Sequence, residues 1–149
     1  MATEIGILAV RRSILIQATP ERVWEEFTSF EKMKAWFGLM HDLTAYEPRL
    51  GGEVVTEVNH GDTHMRISGK IIAFEASREL TFETDMEGAG WEAPPLLTFR
   101  LTPVLGGTLV ELIHHAIERI GPDAAEMHRG FEGSWTPIHL EALREIVEA

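Results

Sequence analysis

The middle of this chain alternates with a period of two and its end does not, and that switch limits the folds open to it. After the Gly51-Gly52 turn, Val54, Thr56 and Val58 alternate with Glu53, Val55 and Glu57. Met65, Ile67, Gly69, Ile71 and Ala73 share one face of a long strand, opposite His64, Arg66, Ser68 and Lys70. Leu80, Phe82 and Thr84 alternate with Thr81 and Glu83, and Leu97, Phe99 and Leu101 with Thr98, Arg100 and Thr102. After Gly106-Gly107, Val110, Leu112 and His114 alternate with Leu109, Glu111 and Ile113. Short turns between such runs predict an antiparallel sheet with one face in and one face out. From residue 122 to 147 the period changes. Phe131, Trp135, Ile138, Ala142 and Ile146 recur at spacings of three and four, the apolar stripe of a helix.

That helix carries flaws in its middle. Gly130 and Gly133 each cost about 1 kcal/mol against alanine, and Pro137 removes a donor. Thr136-Pro137 would suit a fresh helix start, but a continuous, kinked helix is the expected form. A second such pair, Thr19-Pro20, follows a strand-like run over residues 10–17. There Thr19 can cap the helix, Pro20 has its φ preset for the first turn, and Glu21 suits the positive end. The helix places Val23, Trp24 and Phe27 on one face, and a second short helix runs from Phe30 to Trp36-Phe37-Gly38. The layout is α+β: one strand, two short helices, antiparallel strands, one long helix. A one-sided sheet and a one-sided helix bury their apolar faces against each other. A curved sheet around one helix does not fill its own interior, and the short helices wall one end of a pocket.

At 149 residues, with no repeat or linker, the chain reads as one domain over residues 1–149. Its 24 acidic against 13 basic residues give a net charge of −11. Such a surface repels phosphate, so neither nucleic acid nor anionic lipid is an expected partner. The absence of cysteine excludes disulfides, thiol catalysis and thiolate metal sites. Arg11 and Arg12 follow the first apolar residues rather than precede them, so no signal peptide is read, and the expected location is cytoplasmic. No apolar run approaches the roughly 20 residues of a membrane-spanning helix.

Four segments, in order, resemble the START-related SRPBCC superfamily, in the branch named for the heat-shock-protein-90 ATPase activator. They are Ile16-Gln17-Ala18-Thr19-Pro20-Glu21-Arg22-Val23-Trp24, then Lys34-Ala35-Trp36-Phe37, then Pro48-Arg49-Leu50-Gly51-Gly52, then Gly107-Thr108-Leu109-Val110-Glu111-Leu112-Ile113-His114. The resemblance spans nearly the whole chain. It implies a helix-grip fold with a hydrophobic cavity between the sheet and the C-terminal helix, as in polyketide cyclase and lipid-transport relatives. The chain departs from the branch at Gly133-Ser134-Trp135, where the branch has Gly-Trp adjacent.

The candidate cavity residues are Trp36, Phe37, Trp91, Phe99, His114, Phe131, Trp135 and His139. His114 shares a face with Val110 and Leu112, so its imidazole is either a polar group aimed into an apolar cavity or a paired core histidine. His139 and His128 lie on or beside the helix stripe. The aromatic set could line a site for a flat apolar ligand or pack as plain core. Trp91 sits in a Gly- and Pro-rich loop, as a gate or an edge cover. No metal site is expected: His60 and His64 would lie about 13 Å apart on a strand, and His114 and His115 point to opposite faces. No cofactor motif is present. The leading expectation is binding of a small apolar molecule, a lipid, polyketide-like compound or aromatic metabolite. The alternatives are a cyclase-like enzyme using His114 for proton transfer and a cochaperone-like interaction domain. Leu109, Ile113 and Ile72, expected to face outward, could support a homodimer.

Overall fold

The computed structural model describes residues 2–149. β1 (Val10–Ile16) leads into α1 (Pro20–Trp24), a 3-10 turn (Glu25–Phe27) and α2 (Phe30–Phe37). Both short helices start on side-chain caps: Thr19 accepts from the Arg22 amide and Ser29 from the Lys32 amide, each at 3.2 Å. Next come β2 (Asp42–Tyr46), β3 (Glu53–His60), β4 (Thr63–Glu75), β5 (Glu79–Glu83), β6 (Asp85–Met86), β7 (Leu96–Val104) and β8 (Gly107–His115). A 3-10 turn (Ile117–Ile120) precedes α3 (Ala124–Ser134) and α4 (Ile138–Glu148). The strands form one antiparallel sheet in the order β1-β8-β7-β5-β4-β3-β2, with β6 beside β4. It curls around the helices. The pattern of alternation had not pointed to β2 or β6, which are short and weakly periodic.

β4 changes partner along its length, pairing β6 at Ile67 and β5 at Ile71. Gly69 lies at the change, where an added Cβ would sit 1.9 Å from the Glu83 carbonyl oxygen, so no side chain fits. A bulge between Ile71 and Ala73 then shifts the phase of the strand. Ile71 and Phe74 therefore face the core, and Ala73 does not share their side as simple alternation had implied.

The last helix does not kink; it breaks. Trp135 leaves the helix with φ −77° and ψ 106°, and a new helix starts after Pro137. Proline disfavours helical geometry at Thr136 and offers no N–H to continue the ladder. Arg12 of β1 takes up the freed end of α3, donating to the carbonyls of Trp135 (3.0 Å) and Glu132 (2.9 Å). The two helices diverge in role. α4 buries His139, Leu140, Leu143 and Val147 against the sheet and α2, while α3 buries only Ala124.

The sheet is also not one face in and one face out. On its convex side Glu79, Thr81, Thr98, Ile113 and His115 are all buried. The N-terminal segment before β1 lies over them. Thr3 donates its amide (3.2 Å) and hydroxyl to the Glu79 carboxylate, and the amides of Ile7 (3.1 Å) and Leu8 (2.9 Å) donate to Glu118. The Gly6 amide donates to His115 Nδ1 at 3.1 Å. A Cβ at Gly6 would stand 2.4 Å from the Ala116 Cα, so the strap lies close enough to require glycine. Ile113 is therefore not the outward-facing residue expected for a dimer surface.

Candidate functional site

One end of the concave face is filled with rings. Phe27, Trp36, Phe37 and Phe99 meet at centroid distances of 5.0 to 5.9 Å, mostly edge to face. Trp36 and Phe99 are fully buried there, and Trp36 Nε1 donates to the Glu26 carbonyl at 3.1 Å. Tyr46 closes the same end by donating to the Phe27 carbonyl at 2.6 Å.

The other end is hollow. A cavity of about 500 Å³ lies between the sheet and the α3–α4 junction. Val54 and Thr56 of β3, Met65 and Ile67 of β4, Phe82 of β5, Leu97 of β7 and His114 of β8 form its floor. Met127 and Phe131 of α3, Trp135 and His139 form its roof, and Phe37, Met40 and His41 its inner wall. Gly130, Gly133, Ser134 and Thr136 are exposed and line it as well, so it opens to solvent where the two helices part. Met65, Ile67, Met127, Phe131 and Trp135 are only half-buried, because they border this space rather than neighbouring side chains.

Five of the eight sequence candidates meet here: Phe37, His114, Phe131, Trp135 and His139. Trp36 and Phe99 stand behind the wall in the ring cluster. Trp91 is elsewhere, packed on a second small core of Val10, Ile117, Ile120 and Ala124. His128 bonds the Ala9 carbonyl at 3.0 Å outside the cavity. Sequence reasoning missed the methionines. Four of the chain's six, Met40, Met65, Met86 and Met127, line the cavity with flexible thioethers. They lie on four separate segments, so no local pattern could have grouped them. Among the described residues no group of three or more His, Asp or Glu side chains is placed to hold a metal.

The polar groups divide sharply. His114 is committed on both nitrogens. Trp135 Nε1 donates to its Nδ1 at 3.1 Å, which places the ring proton on Nε2, facing Thr84 Oγ1 at 3.2 Å. Thr84 in turn donates to the Pro95 carbonyl at 3.1 Å. Burial, with the neighbouring His115 adding to it, lowers His114 to about 3, so the ring is neutral. His139 is lowered to about 4 by burial and then by His41, which burial also lowers. His139 sits between the rings of Trp135 (5.5 Å) and Phe37 (5.7 Å), and its Nδ1 is buried with no hydrogen-bond partner among the described residues. Leaving such a group unpaired costs about 1–3 kcal/mol.

Residues 17–148 match the family described as activator of Hsp90 ATPase homolog 1-like protein. The chain belongs to that family. Solved structures agree on the fold. Protein MLL2253 from Mesorhizobium loti superposes with a TM-score of 0.72 at 20% identity, covering 94% of this chain and 96% of that one. The Aha1 dimer from Colwellia psychrerythraea gives 0.69 at 15% identity, covering 95% and 97%. DynU16, from the dynemicin biosynthetic locus, gives 0.64 at 20% identity, covering 97% of this chain and 48% of its own. No curated protein matches the sequence. No helix among the described residues is long and apolar enough to cross a membrane.

Proposed function

We propose that this family member binds a small, largely apolar molecule in the space between its sheet and the α3–α4 junction. The observation that carries the reading is the roughly 500 Å³ cavity itself, which is of the size and lining used for small ligands. A ligand burying about 300 Å² of apolar surface gains about 7 kcal/mol before the costs of association. The cyclase-like alternative loses its main support, because a His114 whose two nitrogens are both engaged is poorly placed to exchange a proton with a guest. The Colwellia relative is described as a dimer, and Ile72 is 44% exposed; on that basis the proposal extends to a homodimer, which light scattering on the purified chain reads directly.

Nile red, an uncharged apolar dye, tests the binding reading. Its fluorescence is expected to rise with the purified protein and to lose most of that rise in Met127→Trp, where an indole occupies the roof. Equal dye binding by the filled and unfilled proteins, with circular dichroism unchanged, places the dye elsewhere and overturns the reading.

A further inference from the structure

We propose that the molecule this cavity takes is uncharged, carrying a hydroxyl-type group that His139 meets; this rests on the ligand-binding reading above. No lysine or arginine lines the cavity among the described residues. A carboxylate or phosphate drawn inside would be stripped of water without a counter-charge, which is strongly unfavourable. A cation fares no better. Among the described residues the one carboxylate in the wall is Glu83, and alternation along β5 sets its side chain on the convex face with Glu79 and Thr81 rather than with Phe82. The three imidazoles bordering the space are neutral at neutral pH, since burial disfavours their charged forms.

The neutral polar groups are not equally free. His114 and Thr84 satisfy each other and the Pro95 carbonyl, and the Ser134 hydroxyl donates to the Gly130 carbonyl at 2.8 Å. Thr56, Thr136 and His41 also border the space, but among the described wall residues only the His139 ring has a buried nitrogen without a partner. It borders the cavity at the first turn of α4, and the protein leaves its Nδ1 unpaired. Rotation of the ring about Cβ–Cγ can turn either nitrogen to a guest, and a neutral imidazole accepts on one and donates on the other. A hydroxyl can do both, so it meets either tautomer. The apolar remainder of the guest lies against the rings and methionines.

Matched naphthalene probes, read by displacement of Nile red at pH 7.5, separate the outcomes. The expected result is that 2-naphthol binds about tenfold or more tighter than 2-naphthoate and 2-naphthylmethylammonium, and about tenfold tighter than naphthalene. In His139→Phe the preference for naphthol over naphthalene is expected to vanish while naphthalene binding persists. His139→Gln, which keeps a donor and an acceptor, is expected to retain part of it and guards against a packing effect of the first variant. Naphthoate or the ammonium binding as tightly as naphthol overturns the uncharged-ligand inference but leaves the binding reading standing. A naphthol preference that survives His139→Phe overturns the role of His139. If neither the dye nor any probe binds, the binding reading itself falls, and the inference with it.

Discussion

The two ends of the sheet's concave face are made from similar residues and do different things. At the α2 end, Phe27, Trp36 and Phe99 interlock edge to face and are fully buried. At the α3 end, Phe82, Phe131 and Trp135 stand around a void. The difference comes from what faces the sheet. α2 starts on a side-chain cap and drives Met33, Trp36 and Phe37 into the sheet. α3 buries one alanine, carries two glycines, and stops at a proline-induced break. Tight packing is thus concentrated where the rings meet, and open space where the helix packs poorly. Packing residues and cavity-lining residues share one surface and only partly coincide.

The largest test of this contrast is truncation at each end. Trp36→Ala is expected to cost about 3–5 kcal/mol in chemical denaturation. Met65→Ala at the hollow end is expected to cost less than about 1.5 kcal/mol, since Met65 already borders empty space. Equal losses would mean that the two ends are packed alike.

A second contrast runs through the sheet, between the neighbours His114 and His115. His114 closes a short relay in the cavity wall. His115 anchors the strap on the convex side, accepting from Gly6 on Nδ1 and donating from Nε2 to Thr98 at 2.8 Å. Thr98 passes a hydrogen bond to Thr81 (2.8 Å), and Thr81 one to the Glu79 carboxylate (2.8 Å), so every donor along this chain is used in one direction. Burial acts to raise the Glu79 carboxyl, but the Thr3 and Thr81 hydrogen bonds and the Arg100 charge outweigh it and hold it low. His115→Ala is expected to cost about 1–3 kcal/mol and to speed amide exchange at Gly6 and Leu8. His114→Ala is expected to leave those amides protected.

Acid is expected to weaken the fold on both sides of the sheet. His114 is lowered to about 3, and His115 and His139 to about 4, chiefly by burial. Between those values and the ordinary 6.5 the unfolded chain binds protons that the folded one refuses. Their contribution is complete above about pH 6.5 and drains as pH falls toward 4, by about 1.4 kcal/mol per pH unit for each histidine. Denaturation midpoints measured from pH 7 to 4.5 check the slope, and His115→Gln is expected to remove one histidine's share. A flat profile would show that these rings are not held neutral.

The smallest effect expected is at the mouth. Gly130 and Gly133 have open space where a Cβ would go, so alanine at either is expected to stabilise α3 by about 0.5–1 kcal/mol. The same methyl groups are expected to narrow the opening and slow Nile red entry in stopped flow. A gain in melting temperature with no change in entry rate would place the mouth elsewhere.

The strands read over residues 53–58, 64–73, 80–84, 97–102 and 109–114 fall within two residues of the observed bounds; they were legible because burial on one side imposes a period of two, and short glycine turns mark the ends. The Thr19-Pro20 start was legible because caps are local chemistry; the Ser29 cap of α2 emerged only in the structure. The family match adds to this reading and agrees with it. The bulge after Ile71 was not legible, since one extra residue changes no composition and only flips the phase. Nor was the strap: residues 2–9 show no periodicity, and their role comes from partners more than a hundred residues away, such as His115 and Glu118.

Sequence alone therefore determined the long strands, the two short N-terminal helices and, apart from the stretch after the Ile71 bulge, which strand side chains share a face, because those follow from neighbours along the chain. It also brought Phe37, His114, Phe131, Trp135 and His139 forward as candidates. Tertiary structure alone decided that Trp36 and Phe99 fill space while Phe131 and Trp135 enclose it, and that His114 is spent while His139 is not. Those outcomes depend on where β1, α2 and α3 come to rest against one sheet, and no local pattern encodes a distance between segments that far apart in the chain.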